Sequence, residues 1–168
     1  MNGVLLDTSF LITLSDPARP SHSVAKQYFF ELIQRGVVMY LSAIVVSEYE
    51  VKQKVDDLGL HNFIVLPFNI DHAKAAASLT LAALEARPEG YPRTTVKDDV
   101  KLLAQCEISG ISHFLTDDDK CVSNIDTLRK IYATRTLPFG IFCGNGYDES
   151  WFNPDNQATL VDNWGSNP

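Results

Sequence analysis

The sequence of 168 residues is 45% hydrophobic and 21% charged, which is typical of one soluble globular domain with its own core. Its formal net charge of −7 argues against a simple nucleic-acid-binding module, although bound cations would offset part of that charge. No apolar run approaches the roughly 20 residues that span a bilayer, so we expect neither a membrane segment nor a signal peptide. The three cysteines lack CxxC spacing, which favours reduced thiols in a cytoplasmic protein.

Strand-like and helix-like segments alternate along the chain. Strands are predicted over residues 3–6, 37–41, 63–66 and 113–116, with a fifth somewhere between 130 and 142. Helices are predicted over residues 21–35, from an N-cap at Ser42 to about 57, from a cap at Asp71 to about 86, over 96–109, and from 117 to about 129. Residues 87–95 contain two prolines and a glycine and are predicted to form a loop. This alternation predicts an α/β fold with a central parallel sheet of about five strands and helices on both faces.

The periodic pattern ends near residue 143, and the segment after it is rich in Asn, Gly, Asp and Trp. We therefore expect one domain over residues 1–143 and a C-terminal tail over residues 144–168 that packs on the same domain. Three aromatic residues in the tail, Trp151, Phe152 and Trp164, are expected either to pack back onto the domain or to contact a partner chain.

Four acidic sites are attached to apolar segments, where ionised carboxylates would lose water. They are Asp7 after the first strand, Glu48 in the apolar segment after residue 42, the pair Asp98–Asp99 at a helix start, and the cluster Asp117–Asp119 after the fourth strand. A carboxylate that loses water without gaining a partner costs free energy. Acids at the carboxyl ends of parallel strands can converge at one edge of the sheet. The sequence therefore predicts an oxygen-ligand site for a divalent metal ion.

Helical periodicity predicts that Glu48 faces inward. Glu48 shares one stripe with Ile44, Val51 and Val55 in the helix predicted after Ser42. A charged glutamate on an apolar stripe needs a metal ion, a base or a strong hydrogen-bond donor. The alternative is that Glu48 lies at the edge of the stripe and is in contact with water.

The same test separates the two adjacent aspartates. Asp99 lines up with Leu102 and Cys106, which predicts a carboxylate on the apolar stripe. Asp98 lies on a largely polar side and completes a capping-box-like pattern with Thr95, which predicts a helix cap or a partner of the helix dipole.

Two of the acidic sites have simpler interpretations when each is taken alone. Asp7 is followed by Thr8 and Ser9, which is also typical of a turn or of a helix-capping aspartate. At least one residue of the cluster Asp117–Asp119 is expected only to offset the dipole of the following helix.

Together these segments resemble the PIN-domain nucleases, and in particular the VapC-type toxin ribonucleases. The matching pieces are Val4-Leu5-Leu6-Asp7-Thr8-Ser9, Leu41-Ser42 through Glu48, Lys97-Asp98-Asp99 through Cys106, and Gly110-Ile111 through Leu115-Thr116-Asp117-Asp118. They occur in the family's order and cover residues from about 3 to 132. The resemblance implies a PIN-like three-layer α/β/α fold and Mg²⁺- or Mn²⁺-dependent cleavage of single-stranded RNA.

The resemblance also implies a set of site residues and partners. The implied catalytic acids and metal ligands are Asp7, Glu48, Asp99 and Asp118, with Asp117 as the nearest rival of Asp118 and a further metal ligand. The implied partners are RNA, a small antitoxin protein and a second copy of the chain. The alternative function is a non-catalytic PIN module that binds RNA or a protein. A haloacid-dehalogenase-like phosphatase is disfavoured because residues 7–11 do not match its DxDxT motif.

Overall fold

A computed structural model of the protein describes residues 1–153. Its strands are β1 (Gly3–Leu6), β2 (Val38–Ser42), β3 (Phe63–Leu66), β4 (His113–Thr116) and β5 (Phe139–Phe142). Its helices are α1 (Thr8–Ser15), α2 (His22–Gln34), α3 (Ala43–Tyr49), α4 (Ile70–Ala86), α5 (Arg93–Ser109) and α6 (Asp119–Ile131). The five strands form one sheet in the order β3-β2-β1-β4-β5, and every neighbouring pair is parallel.

The helices form two packed groups around this sheet. Helix α1 contacts α2 and α3, whereas α4 contacts α5 and α6. This arrangement is the predicted three-layer α/β/α fold. Because β1 and β4 are neighbours although β2 and β3 lie between them in sequence, the strand order reverses at this pair. The carboxyl ends of β1 and β4 therefore border the crevice in which open α/β folds bind ligands.

The central strands are buried because they consist of apolar residues on both faces. Leu5 and Leu6 of β1 and Phe114 of β4 have no solvent exposure, and they join the core with Val100 and Leu103 of α5. Burial of one such side chain stabilises the fold by about 1.5–3 kcal/mol. The ends of β1 and β4 are consequently held in fixed positions, which fixes the acids that follow them.

Helix α3 is much shorter than predicted. It begins at the predicted cap, where the Ser42 hydroxyl accepts a hydrogen bond from the backbone N–H of Ile44 at 3.0 Å, but it ends at Tyr49 instead of near residue 57. The Glu50 carboxylate accepts a hydrogen bond from the backbone N–H of Val55 at 2.7 Å, which closes a turn in place of further helix. Val51, predicted to lie on the buried stripe, is 76% exposed as a result.

Three other helices also differ from the prediction. Helix α1 was not predicted, because its eight residues are too few to show a clear period. Helix α4 is capped by Asn69, not Asp71, and the Asn69 side chain and the His72 ring form a reciprocal capping box. Helix α5 begins at Arg93, directly after Pro92, so the loop before it is three residues shorter than expected.

The first part of the predicted tail contacts the domain. The ring of Trp151 lies 5.8 Å from His113 and 6.3 Å from Phe139, and Phe152 is buried beside Tyr28. The rest of the tail, including Trp164, lies outside the described residues. None of the helices in residues 1–153 combines the length and apolar character that a membrane-spanning segment needs.

Candidate active site

Asp7 is the acid at the end of β1, and a network of hydroxyls surrounds it. Its Oδ2 accepts hydrogen bonds from Ser9 Oγ and Thr116 Oγ1, each at 2.7 Å. Asp7 occupies the N-cap position of α1, yet its side chain makes no capping hydrogen bond there. Burial raises the pKa of Asp7, and the hydrogen bonds from the two hydroxyls oppose that shift. A buried carboxylate held by neutral hydroxyls is suited to receive a cation.

The aspartates after β4 point to different neighbours. Asp118 is the N-cap of α6, where its Oδ1 accepts from the backbone N–H groups of Lys120 at 2.9 Å and Cys121 at 3.3 Å. Its Oδ2 lies 3.2 Å from the hydroxyl of Tyr91. Asp117 instead accepts a hydrogen bond from Thr13 Oγ1 of α1 at 2.7 Å. The structure therefore brings Asp118, rather than Asp117, to the side chains around Asp99.

Asp99 lies on the inner side of α5 and is only 7% exposed. The Tyr91 hydroxyl donates a hydrogen bond to Asp99 Oδ2 at 2.6 Å. Burial, together with the charges of Asp7 and Asp118, raises the pKa of Asp99 to about 8, while the hydrogen bond from Tyr91 opposes this shift. Desolvation is the larger cause of this raised pKa, and the charges of Asp7 and Asp118 add to it.

Cys121 is buried at the start of α6. Its thiol is buried and bonds to Asp99. Burial and then the charges of Asp99, Asp7 and Asp118 raise the pKa of Cys121 well above its usual range, so the thiol is protonated and donates. The thiol is thus a further neutral donor to the acids, alongside the hydroxyls.

Glu48 is exposed, which corrects the prediction that it lies on a buried stripe. The physical reason is the early end of α3, which removes the continuation of that stripe. The Glu48 carboxylate accepts a hydrogen bond from the hydroxyl of Thr8, the residue after Asp7. Partial burial, together with the charges of Asp7 and Asp98, raises the pKa of Glu48, while the hydrogen bond from Thr8 opposes this shift. Glu48 therefore borders the acid group from its solvent side.

Asp98 neither caps α5 nor lies in its first turn, contrary to the prediction of a cap or a dipole partner. Because the helix begins at Arg93, Thr95 is already inside it and cannot be the N-cap. Asp98 instead forms an ion pair with Lys101, at 2.6 Å between Oδ1 and Nζ. Both side chains of this pair are about two-fifths exposed, at 38% and 41%.

The carboxylates do not form a closed metal cage as they are oriented. Within residues 1–153, no group of three or more His, Cys, Asp or Glu side chains is arranged so that it could hold a metal ion. Carboxylate oxygens of the site are instead hydrogen-bonded to hydroxyls, with Tyr91 bonded to Asp99 and Asp118, and Thr8 bonded to Glu48. The donor set nevertheless fits a hard divalent cation, because it consists of carboxylate oxygens whose mutual repulsion a cation would relieve.

Sequence reasoning did not identify Tyr91, Thr13 or Cys121 as parts of this site. Tyr91 lies in an irregular loop, where no periodicity indicates which way a side chain points. Thr13 lies in the unpredicted helix α1, six residues after Asp7. Cys121 was visible only as one of three reduced thiols, although its position three residues after the candidate acid Asp118 was a usable signal.

No family model and no curated protein sequence matches this chain. Solved structures do match it. FitAcB from Neisseria gonorrhoeae aligns with a TM-score of 0.58 and 17% identity, over 84% of this chain and 98% of that one. VapC20 from Mycobacterium tuberculosis, a toxin that cleaves the sarcin–ricin loop, aligns with a TM-score of 0.53 and 16% identity, over 71% of this chain and 92% of that one.

A third match is VapBC2 from Rickettsia felis, bound to a DNA fragment from its promoter, with a TM-score of 0.52 and 14% identity over 86% of this chain and 98% of the other. The chain has a VapC-type PIN-domain fold. At these identities the matches establish the PIN fold alone. The resemblance seen in the sequence is thus confirmed at the level of fold, and the chemistry of the acids depends on their own geometry.

Proposed function

We propose that this protein is a divalent-metal-dependent endoribonuclease that cleaves phosphodiester bonds of single-stranded RNA. The observation that carries the proposal is that Asp7, Asp99 and Asp118 come together from three separate parts of the chain. The Tyr91 hydroxyl bonds to both Asp99 and Asp118, and the Thr116 hydroxyl donates to Asp7 and accepts from the backbone N–H of Asp118. Hydroxyls bond these carboxylates without neutralising their charge. A bound Mg²⁺ or Mn²⁺ would supply that neutralisation.

The residues of the chain have distinct roles in this proposal. Asp7, Asp99 and Asp118 bind the cation, and Glu48 completes the ligand set from the solvent side. When bound, a divalent ion would activate water as the nucleophile and offset the charge that develops on the phosphate oxygens. The hydroxyls of Ser9 and Thr116 fix the Asp7 carboxylate so that it does not turn away from the group.

The choice of RNA as substrate rests on the fold and on what is known of its neighbours. VapC20, which shares the fold, is a toxin that cleaves the sarcin–ricin loop. The ammonium group of Lys120 lies beside Gly90: its Nζ would be 3.6 Å from a Cβ atom added to that glycine. Lys120 is our candidate for a contact with the RNA phosphates. We further propose that the protein is the toxin of a toxin–antitoxin pair and acts in the cytoplasm.

The experiment is a cleavage and binding assay on one single-stranded RNA, with Mg²⁺, with Mn²⁺ and with EDTA. We expect cleavage with either ion, none in EDTA, and restoration when the ion is added back. RNA that remains intact in every condition would overturn the proposal.

The second candidate is a non-catalytic PIN module that binds RNA or a protein partner. The observation that favours it is that no three acidic side chains are arranged to hold a metal ion as they stand in residues 1–153. Binding of RNA with equal affinity in EDTA and Mn²⁺, without cleavage in either, would favour this candidate over the nuclease.

The proposed partners are a small antitoxin protein and a second copy of the chain. Exposed apolar side chains on α2 and on the edge strand β3, including Phe30 at 57% and Ile64 at 50% exposure, offer a surface for such contacts. We expect a dimer by light scattering, or copurification with the product of the neighbouring reading frame. A monomer at all concentrations, with no copurifying protein, would contradict this part of the proposal.

A further inference from the structure

The loop between α4 and α5 carries a tyrosine into the acid group. The backbone N–H of Tyr91 donates to the carbonyl of Pro88 at 3.1 Å, which closes a four-residue turn. Gly90 is the third residue of this turn and has a φ of 73°, a value that glycine adopts without strain. The turn directs Tyr91 inward, and its side chain is only 6% exposed.

The Tyr91 hydroxyl lies between two acids from different elements. It is 2.6 Å from Asp99 Oδ2 on α5 and 3.2 Å from Asp118 Oδ2 at the start of α6. A phenol has one proton to donate, so the two acids share this donor. The shorter distance marks Asp99 as the main acceptor.

This contact fixes the geometry of two carboxylates that would otherwise separate. The Oδ1 of Asp118 is already committed to the backbone N–H groups of Lys120 and Cys121, so its Oδ2 is the oxygen turned toward Tyr91. The shared hydroxyl keeps the side chains of Asp99 and Asp118 turned toward the same point. Outer partners of this kind orient metal ligands in known metal sites.

We propose that Tyr91 is a positioning residue that holds Asp99 and Asp118 in the arrangement from which they bind a divalent cation. This inference rests on the proposed metal-dependent function. It assigns a role in the site to the loop 87–92, which stands outside the segments that carry the family resemblance. Tyr91 itself neither binds the cation nor contacts the substrate; it acts through Asp99 and Asp118.

The test is titration calorimetry of Mn²⁺ into the wild-type protein and into Tyr91→Phe, which removes the hydroxyl and keeps the ring. We expect the affinity for Mn²⁺ to fall by about 10- to 100-fold, the range seen when an outer partner of a metal ligand is lost. The matched control is Tyr28→Phe. Tyr28 is also buried, and its hydroxyl bonds to the backbone of Gly146 and Asp148, remote from the acids. The control should bind Mn²⁺ as the wild type does.

RNA cleavage at several Mn²⁺ concentrations gives a second readout. If Tyr91 only positions the ligands, saturating Mn²⁺ restores the rate of Tyr91→Phe to within a few-fold of the wild type, whereas Asp99→Asn stays inactive at any concentration. A purely structural role would leave the Mn²⁺ affinity of the folded variant unchanged.

The outcomes separate this inference from the proposed function. Unchanged or tighter Mn²⁺ binding by Tyr91→Phe, with a wild type that binds the ion, overturns the role of Tyr91 and leaves the nuclease proposal in place. A wild type that binds no Mn²⁺ overturns both. Weaker binding in Tyr91→Phe and unchanged binding in Tyr28→Phe support the inference.

Discussion

Two adjacent aspartates on α5 have opposite surroundings and should differ in their contribution to activity. Asp99 is buried beside Asp7 and Asp118, so Asp99→Asn should cost on the order of 3–4 kcal/mol of transition-state stabilisation. Asp98 forms a partly exposed ion pair with Lys101, so Asp98→Asn should cost about 0–1 kcal/mol of stability and leave most of the activity. Initial cleavage rates and thermal melting of the two variants under saturating Mn²⁺ measure both effects.

The reverse result would show that the wrong aspartate has been placed in the site. An inactive Asp98→Asn and an active Asp99→Asn would mean that the helix register derived from the burial of Asp99 does not describe the functional protein.

If Asp7 is a metal ligand as proposed, its charge should lower the stability of the metal-free protein. Its carboxylate is buried and bonded to neutral hydroxyls, and its pKa is raised. Asp7→Asn removes the charge and keeps an oxygen that can accept both hydrogen bonds. We expect cleavage to fall by about 10²–10³-fold, while the melting temperature of the metal-free protein rises or stays level. A melting temperature of metal-free Asp7→Asn far below that of the wild type would contradict the expectation that the Asp7 charge destabilises the metal-free protein.

At the scale of elements, Asp118 has two roles that substitution can separate. It caps α6 through Oδ1 and meets Tyr91 through Oδ2. Asparagine caps helices about as well as aspartate, so Asp118→Asn should lose activity and keep its stability. Asp118→Ala should lose activity and also about 0.5–2 kcal/mol of stability. Cleavage rates and denaturant unfolding of both variants separate the contribution of the Asp118 charge to activity from the contribution of the helix cap to stability.

Asp117→Asn is the control for this pair, since Asp117 bonds to Thr13 on α1. It should cleave RNA at close to the wild-type rate. An inactive Asp117→Asn beside an active Asp118→Asn would reverse the assignment of the fourth acid.

Three of the five strands could be placed from the sequence because local patterns determine them; β2 begins and ends one residue later than predicted, and β5 was predicted only to lie somewhere between residues 130 and 142. Strands β1, β3 and β4 have the predicted bounds, since each is a short apolar run ended by a turn residue, a proline or an acid. The length of α3 could not be predicted. Its end depends on the hydrogen bond from Val55 to Glu50, and the apolar spacing of Val51 and Val55 gave no sign of it.

The candidate site could be predicted only where a local sequence pattern determines the orientation of a side chain. The inward orientation of Asp99 follows from its spacing to Leu102 and Cys106, which is a property of one helix. The orientation of Tyr91 depends on a turn that places the loop against α5 and α6, and this is a tertiary contact. The exposure of Glu48 depends on where α3 ends. The predicted apolar stripe required a helix that continues to about residue 57, so it could not show that Glu48 is exposed.

At the scale of the whole molecule, the acid group predicts how stability changes with pH. The pKa of Asp99 is raised from its ordinary 3.8 to about 8, and the pKa values of Asp7 and Glu48 are also raised. The folded protein therefore binds protons more tightly than the unfolded chain, and deprotonation favours unfolding. We expect the metal-free protein to lose stability as the pH rises from about 4 to about 8 through this group.

Thermal melting in EDTA across that pH range is the measurement. The variant Asp99→Asn should show a flatter dependence, because the carboxyl group whose pKa is raised to about 8 is gone. Adding Mn²⁺ should raise the melting temperature most at the high end of the range, where the acids are ionised. A wild-type stability that rises steadily between pH 5 and 8 without metal would contradict the described electrostatics of the site.

The central claim is that acids from β1, α5 and β4 together bind one or more divalent ions. The most direct measurement is calorimetric titration of Mn²⁺ into the metal-free wild type and into Asp7→Asn, with Asp117→Asn as the control. We predict that the wild type and the control bind Mn²⁺ with similar affinity and that Asp7→Asn binds it at least about 100-fold more weakly, as expected when a charged ligand is lost. Equal binding by the wild type and Asp7→Asn, or no binding by the wild type, would contradict the claim.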